Sequence, residues 1–528
     1  MFIIRNIKVN LESDFSDIKR LFERILKVSL PQNATVTLYK KGVDARNKES
    51  VHFNCAFLVE SGNEKELIKR LKRFKPEAFS EPCYEWQTAE RSDKRPVVIG
   101  FGPAGMFAAL ALARAGLCPV VLERGKDADS RKLDVEAFWN GGNLNENSNV
   151  QFGEGGAGTF SDGKLNTGIK DPRIREVLRV FSAHGAGEKI LYDAKPHIGT
   201  DVLIEVVKSV RREIISLGAE VLFEHHVVGF ESKNDQLYGL NVLSPTGDKF
   251  IETDHCVLAV GHSARDTFEE VNRSGIVMEP KPFAIGARIE HLQANINRTQ
   301  YGRFAGHPAL GAADYKLACH LENGRGVFTF CMCPGGVVVN ASSEQGKIAV
   351  NGMSYSSRDG INSNAALLVG VGVEDYYKGD VLDGMYFQQE IEYKAFVEGK
   401  GRPVSETVGD FLKMGNDGLL VTPTVKPATT FGKIDNVLPS FVTESMREGI
   451  LLLDRKLRGF GDRNAVLTAP ETRSSSPVRI LRNGSGQSNI GGLYPCGEGA
   501  GYAGGITSAA VDGLKTAELI MQKLSCKI

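Results

Sequence analysis

The 528-residue chain has no excess of charge of either sign: Lys+Arg and Asp+Glu number 64 each. Nucleic acid and acidic membrane surfaces recruit proteins through clustered positive charge, so the balance gives no reason to expect either as a partner. Local basic runs such as Lys65-Glu-Leu-Ile-Lys-Arg-Leu-Lys-Arg73 read as the solvated face of a helix. No stretch approaches the roughly 20 apolar residues that span a bilayer. Met1-Phe-Ile-Ile-Arg-Asn lacks the charged lead and apolar core of a secretion signal, and a cytoplasmic protein is expected. The nine cysteines are scattered and odd in number, which points to reduced thiols and not to a disulfide framework. No metal site is expected.

What the chain does have is glycine in two clusters, at opposite ends of its main body. The first, Gly100-Phe-Gly102-Pro-Ala-Gly105, follows the apolar run Pro96-Val-Val-Ile99 and opens a stretch of helical spacing, Met106 to Arg114. A second apolar run then ends in Val120-Val-Leu-Glu123, so the order is strand, glycine turn, helix, strand, acid. A pyrophosphate can approach only where no Cβ blocks it, and the free N–H groups and positive dipole end of a helix start hold it. Gly100 suits the tight turn, Gly102 the close approach of backbone to ligand, and Gly105 the helix-to-strand contact. Glu123 is placed to accept hydrogen bonds from a ribose hydroxyl. A carboxylate there repels a 2′-phosphate, which disfavours a nucleotide of the NADP type and leaves FAD and NAD.

The second cluster decides between them. Gly492-Leu-Tyr-Pro-Cys-Gly497-Glu498 reads as a short buried strand meeting a loop, and Gly504-Gly505-Ile506 begins a closing helix. A second helix start beside a glycine-rich loop suits the far, flavin-side half of a long cofactor, so FAD is expected.

Residues 1–90 form a separate unit. Phe2 to Val9, Thr35 to Tyr39, Val51 to Val59 and Cys83 to Trp86 read as strands, and Phe15 to Leu26 and Glu64 to Lys72 as helices. This β-α-β-β-α-β order predicts a ferredoxin-like α+β module without cluster cysteines, suited to docking or oligomer contact. Thr88 to Arg95 is the expected linker.

The first part of a doubly wound α/β domain should span 95–280. Its irregular segment Gly141 to Asn166 is too long for a plain connection, and Gly155, Gly156, Ser161, Gly163 and Lys164 offer backbone N–H groups, a hydroxyl and a cation to a phosphate. Helices are expected from Asp171-Pro172 to about Ala183 and from Asp201 to Leu217. Strands are expected at Glu220 to Val228, Leu237 to Leu243, Lys249 to Glu252 and His255 to Val260. Residues 281–465 leave the doubly wound pattern and should form an inserted α+β substrate or cap domain, before 466–528 complete the first fold. Leu367-Leu-Val-Gly370-Val-Gly372-Val-Glu-Asp375 imitates a second fingerprint but has Asp375 where the third glycine belongs. Any NADH or NADPH donor would therefore bind only transiently, over the flavin.

The fingerprint with Glu123-Arg124, the segment Cys256-Val-Leu-Ala259-Val-Gly261-His262 and the closing Leu493-Tyr-Pro-Cys-Gly497-Glu498 resemble the glutathione-reductase-type FAD fold with a single Rossmann domain. More narrowly, the chain resembles the FAD-dependent dehydrogenases often labelled NAD(FAD)-utilising. It does so through Asp44-Ala-Arg46, Gln151 to Asn166, Cys331-Met-Cys333-Pro-Gly-Gly336, Asn351-Gly-Met-Ser354 and Glu471-Thr-Arg473-Ser-Ser-Ser476-Pro. The resemblance covers nearly the whole chain and implies an FAD-dependent oxidoreductase acting through flavin N5. It implies that Gly100, Gly102, Pro103, Ala104, Gly105, Glu123, Arg124, Gly155, Gly156, Ser161, Gly163, Lys164 and Leu165 hold the cofactor. Val228 (or Val227, against the adenine), Ala259, Gly261, Gly497, Glu498, Gly504, Gly505 and Ile506 complete the set. The substrate, a small molecule, is not assigned by it.

Catalytic candidates are few, since the flavin carries the hydride chemistry. Cys331 and Cys333 invite a dithiol reading. A strand through them is expected to hold them apart unless Pro334-Gly335-Gly336 turns, and packing roles stand beside thiol chemistry. The cysteine pair of the disulfide reductases is absent. Cys496 reads as a small buried residue. Arg288, Glu290 and His291 could face a cavity or form the polar face of a surface strand. Glu471 and Arg473 could reach the flavin edge or form a salt bridge at a domain border. Two other readings differ in class: a flavoenzyme that modifies RNA or protein, and a non-catalytic FAD-binding regulator.

Overall fold

In the computed structural model, which describes residues 1–90, 93–418 and 421–525, the strands Leu493–Pro495, Cys256–Leu258, Val97–Ile99, Val120–Glu123 and Glu220–Phe223 lie side by side in that order. All four neighbouring pairs are parallel. Their runs of Val, Ile and Leu carry no polar alternation because both faces are covered, one by helices and the other by an antiparallel meander (Val227, Phe230, Leu240, Val242) and the helix Arg265–Arg273. The helix Pro103–Arg114 crosses from the third strand to the fourth and is apolar all round, as a helix packed on every side must be. It lies against Ile506–Ser525 and Thr200–Ser216. A Cβ on Gly513 would stand 2.1 Å from the Ala104 carbonyl oxygen, so glycine sets how closely the first and last helices approach. Val97 and Pro495, 398 positions apart in the sequence, thus belong to one parallel sheet.

The structure differs from two local expectations. Glu220 to Val228 is not one strand. Glu224 takes a left-handed conformation (φ +58), ending the parallel strand at Phe223. The chain restarts at His226–Lys233 in an antiparallel meander with Gln236–Leu243 and Lys249–Glu252. Between Glu123 and the irregular segment lies a further helix, Ala128–Trp139, which buries only Ala128, Arg131 and Val135 and so carries no apolar stripe in the sequence. Asp127 caps it, accepting from the Asp129 and Ser130 N–H groups.

The middle of the chain builds a seven-stranded sheet in the order Ala318–His320, Gly326–Cys333, Asn362–Val371, Phe283–Leu292, Val466–Glu471, Val404–Thr407, Thr430–Phe431. Alternate residues of Phe283–Leu292 face opposite ways. Ile285, Ala287 and Ile289 join a core with Val442, Met446 and Ile450 of the helix Ser440–Lys456. Arg288 and Glu290 take the other face, beneath the hairpin Val337–Asn340 and Val350–Met353. The expected boundary at 465 falls one strand short, because Val466–Glu471 pairs inside this sheet with both Phe283–Leu292 and Val404–Thr407. The imitation fingerprint is the end of the buried strand Asn362–Val371, and a short 3₁₀ turn follows it where a nucleotide fold needs a helix.

The N-terminal sheet has the order Thr35–Asp44, His52–Glu60, Phe2–Val9, Glu77–Ala78, with the helices Ile18–Leu26 and Glu64–Arg70. Its last strand is Glu77–Ala78, against Phe2 and Ile3, and not Cys83 to Trp86. The latter segment is a strap on the doubly wound unit. The Tyr84 hydroxyl donates to Glu518 (2.9 Å), and Trp86 Nε1 donates to Glu176 (3.0 Å) while its ring packs under Arg114. Its aromatic residues are held by helix side chains and not by a ladder. Within the expected linker Thr88 to Arg95, Arg91 and Ser92 lie outside the described residues. Phe304 and Leu310 of the middle unit pack into the edge of the N-terminal core, which includes Phe2, Phe22 and Phe57.

Candidate functional site

The glycine turn is built from the backbone outward. Gly100 sits at φ +91, and a Cβ on it would meet the Ala259 carbonyl oxygen at 2.7 Å. A Cβ on Gly105 would stand 1.9 Å from the Gly100 oxygen, which is why the helix can begin so close to its strand. Gly156 sits at φ +61 with room for a Cβ only 3.0 Å from the Gly102 Cα, so two glycine backbones face each other at the cleft floor. The first-turn N–H groups of Pro103–Arg114 have no intrahelical acceptor and open toward this floor.

The floor belongs to an open cleft whose empty space, counting its mouth, is about 1550 Å³. Of the residues expected to hold the cofactor, Gly100, Gly102, Pro103, Ala104, Glu123, Arg124, Gly156, Ser161, Gly163, Lys164, Ala259, Gly261, Glu498, Gly505 and Ile506 line it. Gly105, Gly155, Leu165, Val228, Gly497 and Gly504 are not in its wall. Gly155 is pressed under the turn, where a Cβ would meet Thr159 Oγ1 at 2.1 Å. Leu165 is a core residue whose carbonyl accepts from the Thr507 hydroxyl (2.8 Å). Val227, not Val228, lines the cleft, because neighbouring strand residues face opposite sides. Gly497 backs Ala104 and donates its N–H to Asp512 (2.8 Å). Gly504 accepts from the Ser508 hydroxyl at the start of the last helix.

Glu123 does more than face the cleft. Its carboxylate accepts from the backbone N–H groups of Phe101 (2.8 Å), Gly125 (2.9 Å) and Gly153 (3.0 Å), which ties three loops together. A carboxylate has about four acceptor positions, so little capacity remains for a ribose. Arg124 forks onto Asp266 (2.9 Å to each oxygen) and lies over the Phe152 ring. Some contributors carry no motif. Arg131 is fully buried and donates to the carbonyls of Asn149 (2.8 Å), Val150 (2.9 Å) and Glu154 (2.7 Å), giving the irregular segment its shape. Asp162, in the cleft wall, is held by Arg358 Nε at 3.0 Å. His262 Nδ1 stands 3.3 Å from Glu498, both lining the cleft. The only sequence signal for these was their place beside the glycines.

The opposite wall comes from the seven-stranded sheet: Phe330, Cys331, Cys333, Asn351, Gly352, Glu471, Arg473 and Ser474. In a regular strand, residues two apart share one face. The register shifts between Phe330 and Cys333, and Cys331 has φ +40, so Cys331 opens on the cleft while Cys333 is buried. The surrounding protein pushes the Cys331 thiol up to about 12, and burial raises that of Cys333, so neither is a thiolate at neutral pH. All eight described cysteines are free, Cys496 being fully buried.

Arg288, Glu290 and His291 are not on a surface strand: all three are buried, and none lines the cleft. The His291 ring faces the Phe460 carbonyl through Nε2 (2.9 Å), and Glu290 accepts from Asn362 and Thr424. Arg288 reaches the wall through its partners. Nη1 donates to both Glu471 oxygens (3.2 and 3.1 Å), Nε and Nη2 to Asn364 Oδ1 (3.0 and 2.7 Å), and Nη2 also to the Cys331 carbonyl (2.8 Å). Gly352 lies flat against it, since a Cβ there would meet Nη2 at 2.0 Å. Arg473 lines the cleft too, but its guanidinium is engaged by Glu392 (2.9 and 3.1 Å) and Glu344 (3.2 Å). Arg265, from the doubly wound unit, forks onto the same Glu392 at 2.8 Å to each oxygen. Both residues expected at the flavin edge therefore line the cleft and are in ion pairs as well, Glu471 within the seven-stranded sheet and Arg473 in the cluster that reaches Arg265 of the doubly wound unit.

The residues fit a dinucleotide on geometric grounds: a floor that any Cβ would fill, flanked by two helix starts. Comparison with known proteins bears on which one. Residues 282–474 match the family model described as FAD-dependent protein, C-terminal domain-like. An "uncharacterized protein" of Clostridium beijerinckii is 46% identical over 98% of both lengths. Among solved structures, the glycerol-3-phosphate dehydrogenase of Bacillus halodurans complexed with FAD aligns over 82% of this chain and 64% of its own, at 11% identity and TM-score 0.36. Glycine oxidase of Bacillus cereus aligns over 82% and 96%, at 11% identity and TM-score 0.31. The chain belongs to the same family as the Clostridium beijerinckii protein, and within it residues 282–474 are similar to the C-terminal domain of FAD-dependent proteins.

Proposed function

We propose that the protein is an FAD-dependent oxidoreductase whose cofactor lies along the cleft between the doubly wound unit and the seven-stranded sheet. The observation that carries this reading is the meeting of the two glycine clusters at one cleft, with a second domain supplying its far wall. Gly100, Gly102 and Gly156, with the first-turn N–H groups behind Pro103, would take the pyrophosphate. Glu123 holds that loop closed, and Arg124 and Val227 would flank the adenosine end. Lys164, Gly505 and Ile506 would stand on the flavin side. When bound, the flavin supplies hydride acceptance and donation at N5. The chain's own residues position a small-molecule substrate against Cys331, Asn351 and Arg473 and keep bulk water out. Ties between the two walls serve that exclusion: Lys164 Nζ donates to the Met332 carbonyl, and Trp139 Nε1 to the Asn340 carbonyl (2.9 Å). A nicotinamide donor would reach the cleft only transiently, since the one parallel sheet of this kind among the described residues would already be committed to FAD.

The visible spectrum of the purified chain, followed by anaerobic titration with NADH and with NADPH, tests the reading. A flavin band that NADH bleaches is expected. A colourless protein that does not take up added FAD would end it.

A further inference from the structure

The seven-stranded sheet contributes one carboxyl to the cleft wall, Glu471, which ends the strand Val466–Glu471 and is 4% exposed. Both its oxygens lie on one Nη1 of Arg288. That guanidinium is itself fixed at four further points on two neighbouring strands: Asn364 Oδ1 twice, the Cys331 carbonyl and Cys333 Sγ (3.5 Å). Asn364 Nδ2, buried in the same cluster, has no acceptor among the described residues. Held this way, the Glu471 carboxyl is fixed in the cleft wall, and Arg288, its one ion-pair partner among the described residues, does not line the cleft. Other charged and titratable groups near it are differently occupied. Cys331 and Cys333 on Gly326–Cys333 stay protonated, Lys164 is held by the Met332 carbonyl and Asp162, and Arg473 is spent on Glu392 and Glu344.

We propose that Glu471 is the group that gives a proton to the substrate or takes one from it, and that Arg288 is its positioning residue. The inference rests on the FAD reading and narrows its substrate class to molecules oxidised or reduced at a carbon that bears oxygen or nitrogen. In the oxidising direction the O–H or N–H bond breaks and its proton goes to a Glu471 oxygen. The electron pair left behind closes the C=O or C=N bond as the hydride leaves for the redox cofactor, and reduction is the reverse. A carboxyl serves such a step when it is dry enough to hold a proton near neutral pH and is geometrically fixed. Burial raises the Glu471 carboxyl above the ordinary range against the pull of Arg288, in keeping with that role.

The test uses the full chain with its flavin, titrated from pH 5 to 10 by visible absorption, because a carboxyl at the ring edge shifts the flavin band as it ionises. One transition is expected in the wild-type protein, absent from Glu471→Gln with the flavin band retained. Arg288→Lys should move its midpoint upward by about one pH unit, a tenfold change in proton affinity. A purely structural ion pair predicts no such transition, so its absence in the wild type, or its persistence unchanged in Glu471→Gln, overturns the proposal. If Glu471→Gln fails to hold flavin, Glu471→Asp keeps the carboxyl but loses the two-oxygen contact. A displaced midpoint then supports the proposal and an unmoved one overturns it. A wild-type chain that binds no FAD at all sinks the cofactor reading, and this inference with it, before any titration begins.

Discussion

At the scale of single residues, the site is governed by where a Cβ cannot go and where a charge has been set. Gly156→Ala places a side chain at φ +61, at a cost of roughly 1–2 kcal/mol, and drives it against the Gly102 backbone. A fall in FAD affinity of at least about tenfold is expected, about 1.4 kcal/mol, read by fluorescence titration of the apoprotein. Glu123→Gln replaces one acceptor oxygen with an N–H donor among three backbone N–H groups. One buried donor then loses its partner, at a cost of about 1–3 kcal/mol, and both thermal midpoint and flavin content should drop. The Cys331 thiol faces the cleft but is pushed up to about 12. Only thiolate is alkylated, so iodoacetamide labelling of the apoprotein should be slow at pH 7. It should rise about tenfold per pH unit through pH 10 without a plateau. Mass spectrometry of the Cys331 peptide follows this directly, and a plateau near pH 8 would contradict it.

At the scale of elements, sequence periodicity found strands and helices wherever apolar residues faced one core, and failed where side chains found partners of another kind. Cys83 to Trp86 has the aromatic content of a strand, yet its hydrogen bonds go to the side chains of two helices. Trp86→Ala should therefore lower the thermal midpoint, each kcal/mol lost being worth roughly 2–4 °C in a domain of this size, and leave the flavin spectrum unchanged. The strand Phe283–Leu292 alternates polar and apolar residues like a surface strand, but a hairpin covers its polar face. That alternation marks a polar interior built around Arg288 and Glu290. The bulge at Cys331 is likewise invisible in the sequence, because a register shift depends on the strand beside it.

At the scale of the whole molecule, two units are clamped by a cluster of four charges, of which Arg265, Glu392 and Arg473 are buried. Arg265 lies on a helix of the doubly wound unit, Glu392 on the helix Asp383–Glu398 of the inserted one, with Glu344 and Arg473 beside them. Removing one partner leaves buried charge uncompensated, so Glu392→Gln should destabilise the chain by about 3–5 kcal/mol, measured by urea unfolding. Burial alone would raise the Glu392 carboxyl, but Arg265 and Arg473 outweigh it and hold it far below the usual range. A depressed folded-state pKa means that the stabilisation is complete above the unfolded value of about 4.3. As pH falls further the unfolded chain takes up protons first and the stabilisation drains away. Wild-type stability should therefore fall below pH 4 more steeply than that of Glu392→Gln.

The glycine turn, its helix and the following acid were legible in the sequence because they are local. A Cβ-free approach and a helix start require particular residue types within about 25 positions, whatever surrounds them. Which of those glycines face a cleft and which only pack was not legible, since Gly102 and Gly155 look alike until Gly156 and Thr159 are placed beside them. The sequence by itself determined that a dinucleotide fold is present and that the chain interrupts it. Only the tertiary structure decided what stands across the cleft: it carried Val466–Glu471 into the inserted sheet and set Glu471 on Arg288, 183 residues away. Contacts between distant segments leave no periodicity in either one, so the wall opposite the glycines becomes readable only when the two units close on each other.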